Sequence, residues 1–347
     1  MREQAIQSQL DVRVDRINRK LQEELRRSEQ LLATIAPELE DIVSTEAEFV
    51  LGGGKRIRGL LLQIGYEWHG GTGKAAIDRV AAGIELMHAA VLAHDDIIDR
   101  DTHRRGRATL HKVFANGAHA EQRGRSFALL VGDHLATLGY SALLRASFDL
   151  ETKDRALAVF HEESLKTGMG AALEVDATRR TSLPQERLER AERLKTASYT
   201  TLAPLRIGAI LAGTTLSETL TKVATLAGEA FQLRDDLLGL TATQSQTGKT
   251  AFSDLREGRD TPLLHMMRHV LSAAEQRELS AFLSEEGRED TNKIVALLQR
   301  RGVEQLAETE IEKKWNVIEE LLEQTKGNNV QKRLLLHLVR RLVYRDA

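Results

Sequence analysis

Four prolines in 347 residues leave few places where an α-helix must stop. Leu, Ala, Glu and Arg dominate the intervals between them, and all four are strong helix formers. Apolar residues recur at helical spacing over roughly 10–35, 38–51, 55–69, 75–100, 119–147, 153–173, 186–197, 200–213, 217–240, 261–272, 275–284, 290–300, 303–323 and 328–344. Few runs alternate as strands do. The chain therefore reads as all-α. Ser182 with Pro184 and Ser217 with Glu218 supply two helix starts; Pro is tolerated in a first turn, and Ser and Glu suit an N-terminus. Loops are short and polar, the longest interruption being residues 240–260. No linker or shift in composition divides the chain, so one domain over 1–347 is expected.

Hydrophobic residues make up 41%, enough for a sizeable core. Charged residues are 29%, yet the net charge is only -2. That balance lacks the basic surplus of a nucleic-acid protein. There is no cysteine, which excludes disulfides, thiolate zinc sites and a cysteine nucleophile. The absence fits a reducing compartment, and a cytoplasmic protein is expected. The first twenty residues are charged throughout, with no apolar signal core. The best candidate for a membrane span, near 197–216, is broken by Arg206. No transmembrane segment is expected.

The sequence VAAGIELMHAAVLA runs directly into HDDIIDRDTHRRGR (94–107). Asp95 and Asp99 are four apart, and Asp96 and Asp99 three apart, so their side chains share a helix face. Three such charges repel unless cations neutralise them. Hard oxygen donors without sulfur suit Mg²⁺, which needs one or two carboxylates per ion plus substrate phosphates. Alone, the cluster is equally well explained as a solvated helix end. A second apolar helix, GEAFQLRDDLLG (228–239), also ends in paired acids, Asp235 and Asp236, with Gln232 one turn before Asp236. Carboxylates at a helix C-terminus oppose the helix dipole. Two such placements point to metal binding.

LGGGKRIRG (51–59) puts three glycines before Lys55, Arg56 and Arg58 at a helix start. Backbone amides and cations together suit an anion. The spacing is not that of a Walker loop, and TGKT at 247–250 lacks its first glycine. His88 lies two turns before Asp95 on the same face. Arg104, Arg105, Lys195, Thr196, Lys249 and Arg259 add donors along the chain. Each alone reads as an ordinary surface or core residue.

Together, GGGKRIRG, MHAAVLAHDDIIDRDTHRRGRAT, LLVGDHL, LKTASYT, and FQLRDDLLG followed by TGK resemble the trans-isoprenyl diphosphate synthases, or polyprenyl synthetases, over roughly 50–262. The resemblance implies the all-α isoprenoid synthase fold, a helical bundle around a deep cavity, and a homodimer. It implies head-to-tail condensation of isopentenyl diphosphate with an allylic diphosphate. Asp95, Asp96, Asp99, Asp235 and Asp236 would bind three Mg²⁺ per active site. Arg104, Lys195, Thr196, Gln232 and Lys249 would contact the allylic diphosphate. Lys55, Arg58, His88 and Arg105 match the isopentenyl diphosphate positions. Asp95, Asp99, Lys195 and Asp235 would carry catalysis. The chain departs from the usual pattern at Gly239, where a third acid of the second cluster is expected.

In such enzymes the residues one turn before the first acid often form the cavity floor. Here they are Ala90 and Val91, both small. At a rise of about 1.5 Å per residue, Ala90 lies roughly 7 Å below the acids. Met87, Ile84 or Phe127 would then stop growth further down, and a C20 (geranylgeranyl) product is the first expectation. Two alternatives remain at this point. A class I terpene cyclase shares the first acid motif but has no use for Lys55, Arg58 and His88. A non-catalytic subunit of a heteromeric synthase would fit the incomplete second motif.

Overall fold

A computed structural model describes residues 3–177, 193–241, 261–284, 291–325 and 328–344, together with Arg187, Arg190 and Leu255. The helices, in order, are α1 (Glu3–Ile35), α2 (Glu40–Leu51), α3 (Ile57–Trp68), α4 (Lys74–Ile98), α5 (Leu110–Val113), α6 (Ala120–Arg145) and α7 (Leu150–Ala177). A π-helical segment, Arg193–Leu202, runs into α8 (Ala203–Leu211). Then follow α9 (Glu218–Thr241), α10 (Pro262–Arg268), α11 (Ala273–Ser284), α12 (Thr291–Arg300), α13 (Val303–Gln324) and α14 (Asn329–Val343). The all-α reading holds. One feature departs from it: strands β1 (His103–Arg104) and β2 (Arg107–Ala108) form a small antiparallel hairpin. Its turn, Arg105-Gly106, has both residues at positive φ, 52° and 74°, as a tight two-residue hairpin requires.

Two compact units can be distinguished. The first comprises residues 1–160, 204–216 and 327–335. Its centre is the crossing of α4 and α6. A Cβ on Gly83 would lie 2.8 Å from the Gly139 carbonyl oxygen, and one on Gly139 would lie 2.8 Å from that of Gly83. Only glycine lets the two backbones touch there. The α4 stretch from Val80 to Met87 is continuously buried, which explains its nearly unbroken apolar sequence. α1 is fastened alongside. Arg13 grips Glu67 of α3 with two hydrogen bonds of 2.6 and 2.7 Å, and Arg16 holds Asp78 of α4.

The second unit comprises residues 161–203, 217–326 and 336–347. Here α9 packs against the π-helical segment and α13. The Thr201 hydroxyl donates to the Ala224 carbonyl at 2.6 Å. Arg234 of α9, buried, clasps Glu308 of α13 at 2.6 and 2.7 Å and donates to the Val343 carbonyl of α14. Ser217 starts α9 as expected, accepting a hydrogen bond from the Leu220 amide. The expected start at Ser182 and Pro184, and most of the helix expected over 186–197, lie outside the described residues.

Among the described residues α6 is the one helix long and apolar enough to cross a membrane by composition. The stretch near 197–216 is not such a helix. The apolar character of α6 is accounted for in part by its packing on α4.

Candidate active site

In the first unit, a cavity of about 270 Å³ is lined from four directions. α2 supplies Thr45, Glu48, Phe49 and Val50, and α4 supplies Glu85, His88, Ala89 and Leu92. The hairpin adds Arg104, Arg105, Arg107 and Ala108; α5 adds Leu110 and Val113. The lining therefore combines four arginines, Arg56, Arg104, Arg105 and Arg107, with an apolar set that includes Phe49, Leu92, Leu110 and Val113. A small molecule with an anionic head and a short hydrocarbon body matches that combination.

The glycine loop shapes the arginine-bearing part of this lining. Gly53 and Gly54 have φ of 127° and 123°, and Arg56 is left-handed at 50°. A Cβ on Gly52 would strike the Arg107 guanidinium at 2.6 Å, so this glycine makes room for that arginine. The loop and hairpin are linked where Arg105 donates to the Gly53 carbonyl at 2.8 Å. Arg56 is buried and donates to Asn18 Oδ1 and to the Val50 carbonyl.

His88 sits among these arginines. Burial, then the charges of Arg58, Arg105, Arg104 and Arg56, push its pKa well below the usual imidazole value. The ring is thus neutral at neutral pH, and it offers hydrogen bonds rather than charge. Arg105 and Arg104 line the cavity, as does His88. Lys55 is exposed on the loop and Arg58 half-buried in the first turn of α3; neither is among the lining side chains.

The first acids lie at the end of α4. Asp99 caps the helix, its amide donating to the Asp95 carbonyl at 2.8 Å. Asp95 is half-buried, whereas Asp96 and Asp99 are buried. Asp96 accepts from Arg104, which also lies 3.6 Å from Asp101. Arg104, expected to meet an allylic diphosphate, is thus held by two carboxylates next to the cavity. Among the described residues no three His, Asp or Glu side chains converge as a ready-made metal cluster. What is present is a pair of carboxylates one turn apart, with oxygen donors only. That set fits Mg²⁺, which completes its shell with water and phosphate oxygens.

In the second unit, Asp235 is half-buried near the end of α9. Its neighbour Asp236 is 2% exposed. Asp236 accepts from Gln232 at 2.9 Å and from the Leu263 amide at 3.3 Å, so it caps the first turn of α10. Gln232, expected at the allylic diphosphate, is hydrogen-bonded to Asp236 here. Lys195 and Thr196 fall within the π-helical segment, but their side chains lie outside the described residues, as does Lys249 entirely.

Along α4 below Asp95, Ala90 and Met87 are buried, Val91 half-buried and Ile84 buried. Met87 backs onto α6, its Cβ 3.5 Å from where a Gly139 Cβ would be. Phe127 instead packs on Phe114 at 5.8 Å, under Arg123. Glu85 was not singled out by the sequence. Its one signal is its spacing, three residues before His88 on the same face.

Comparison with known proteins decides the family. The polyprenyl synthetase family profile matches residues 40–300. The chain belongs to the polyprenyl synthetase family. It is 35% identical over 217 residues to a geranylgeranyl diphosphate synthase of Sulfolobus acidocaldarius, covering 61% of this chain and 62% of that enzyme, just under two thirds of its length. It is also 35% identical over 243 residues to the octaprenyl diphosphate synthase of Escherichia coli, covering 69% of each. Among solved structures it resembles a geranylgeranyl pyrophosphate synthase of Corynebacterium glutamicum complexed with isoprenyl diphosphate and magnesium. That likeness has a TM-score of 0.88 at 28% identity, covering 97% of this chain and 99% of that one. The family is one of prenyl-transferring enzymes with an all-α fold, and the helices described above follow it.

Proposed function

We propose that this chain is a Mg²⁺-dependent prenyltransferase that joins isopentenyl diphosphate to an allylic diphosphate and releases a longer prenyl diphosphate. The observation that carries the reading is the cavity whose lining combines Arg56, Arg104, Arg105 and Arg107 with Phe49, Leu92, Leu110 and Val113, Arg104 being the residue that also binds Asp96 of the first acids. Isopentenyl diphosphate likewise combines an anionic head with a hydrocarbon body. Arg105, with Lys55 and Arg58 at the loop and helix start, would hold its diphosphate, and neutral His88 would hydrogen-bond to it. The C5 body would lie along the apolar residues.

Asp95 and Asp99 would hold Mg²⁺, with Asp235 as a further ligand by family pattern. Bound there, the metal would offset negative charge on the departing diphosphate. Arg104, positioned by Asp96 and Asp101, would steady the same group, joined by Lys195, Thr196, Gln232 and Lys249. The C–O bond of the allylic diphosphate breaks, and the double bond of isopentenyl diphosphate forms the new C–C bond to the allylic carbon. A proton then leaves the adjacent carbon for the released diphosphate, restoring a double bond. No side-chain nucleophile is needed. Apolar walls keep water from the cationic carbon. Asp96 and Asp236 would complete the two acid sites, Asp96 while also holding Arg104 and Asp236 while also holding Gln232 and the α10 start.

The product is proposed as geranylgeranyl diphosphate (C20), with Ala90, Val91 and Met87 along its path. The working unit is proposed as a cytoplasmic homodimer formed from one 1–347 domain per chain. The exposed Leu129 and Leu130 of α6 support an apolar contact face. Two experiments test the proposal. Purified protein with Mg²⁺, isopentenyl diphosphate and each C5–C20 allylic primer is assayed for product length by chromatography, and its mass in solution is measured by light scattering. No product longer than any primer would reject the reaction, and a monomeric active species would reject the dimer.

A further inference from the structure

Glu85 is a buried acid, 4% exposed, in the wall of a cavity otherwise rich in arginine. Burying a carboxylate is costly unless it is paired and hydrogen-bonded, so its partners matter. One is the backbone. Glu85 Oε1 accepts from the Gly59 amide at 2.9 Å. Gly59 is the third residue of α3, whose first amides have no partner within the helix. The residue before α3, Arg56, is left-handed and makes no side-chain cap. Glu85 therefore caps α3 from another helix. Close approach makes this possible, since a Cβ on Gly59 would lie 2.9 Å from Ile17 and 3.3 Å from the Ala81 carbonyl.

The second set of partners is charged. Burial lowers the pKa of Arg56 and of Arg105, and the Glu85 charge opposes that lowering at both. Glu85 thus sits at the start of α3, beside the guanidiniums that line the cavity. This is where a bound diphosphate would place its own negative charge.

We infer that Glu85 is a positioning residue for the isopentenyl diphosphate end of the reaction. It fixes the start of α3 and acts as the resident anion against which the incoming diphosphate is bound. The inference rests on the cavity being the isopentenyl diphosphate site. In the empty protein Glu85 keeps the buried arginines compensated. In the loaded protein its charge repels the diphosphate, which keeps binding weaker than the arginines alone would make it.

Two variants separate the parts of this role. Glu85→Gln keeps the hydrogen-bond acceptor for Gly59 and removes the charge. Glu85→Ala removes both. For Glu85→Gln the expected results are a several-fold lower KM for isopentenyl diphosphate and an unmoved KM for the allylic primer. Its unliganded melting temperature should fall, and inorganic pyrophosphate should raise it by more than in the parent. Glu85→Ala should melt lower still, through loss of the cap. An unchanged or higher isopentenyl diphosphate KM in Glu85→Gln would overturn the inference and leave Glu85 a structural cap. So would an equal shift in both KM values. Arg105→Ala distinguishes failure of the underlying reading. If it leaves the isopentenyl diphosphate KM unchanged, the cavity is not that site, and the inference fails with it.

Discussion

Gly83 of α4 and Gly139 of α6 meet backbone to backbone, each occupying the space a Cβ on the other would need, 2.8 Å from the facing carbonyl oxygen. This contact sets how close α6 comes to the helix that carries His88 and the first acids. Gly139→Ala must push the helices apart. Overpacking of this kind costs about 1–3 kcal/mol, despite the better helix propensity of alanine. Gly168 on α7 is the control, because a Cβ there meets nothing within 4 Å. Gly168→Ala should stabilise by up to about 1 kcal/mol. Denaturant unfolding of both variants should give opposite signs.

Product length should respond to α4. Ala90→Phe places a ring one turn below Asp95 and should shift the products to shorter chains. Met87→Ala opens space towards α6 and should shift them to longer ones. Chromatography of the reaction products reads both. An unchanged spectrum from both variants would remove α4 as the floor.

Asp236 and Asp235 are adjacent in sequence and differ in burial, Asp236 being buried and Asp235 half-buried. Asp236→Ala leaves the Leu263 amide and Gln232 without their acceptor and should cost about 1–3 kcal/mol of stability. Asp235→Asn should cost less stability and instead raise the Mg²⁺ concentration needed for half-maximal rate. Unfolding curves and metal titrations of the two variants separate these effects.

His134 of α6 joins three helices. Its Nδ1 lies 2.7 Å from Glu46 Oε2 of α2, and its Nε2 lies 2.9 Å from Ser28 Oγ of α1. The hydrogen bond to Glu46 raises its pKa above the usual value. The stabilisation is therefore fully present below the unfolded pKa and is lost as pH rises through the raised, folded one. The stability margin of the parent over His134→Gln should therefore shrink as pH rises from about 5 to about 9. A margin that stays constant across that range would exclude this contribution of His134.

The fold was legible because helix formers, scarce prolines and long apolar periods all favour one answer. HDDIIDR and the glycine-arginine loop were legible for a similar reason, being locally dense in one chemistry. The hairpin was not legible. His103, Arg104, Arg107 and Ala108 have no strand alternation, and the pairing depends on two positive-φ residues at its turn. Glu85 was hidden because an acid inside an apolar helix gains meaning only from Gly59 and Arg56, which are distant in sequence. Spacing also could not supply the neighbours of Asp96 and Asp236: only tertiary contacts place Arg104 on the first and the α10 start on the second. Gln232 and Arg104 likewise had partners that spacing could not supply.

The most direct test of the central claim is the steady-state kinetics of Arg105→Ala with each substrate varied in turn. The account predicts a KM for isopentenyl diphosphate raised at least about tenfold, equivalent to roughly 1.4 kcal/mol of lost binding, with the allylic primer's KM little changed. An unchanged isopentenyl diphosphate KM, or a loss confined to the allylic substrate, would contradict it.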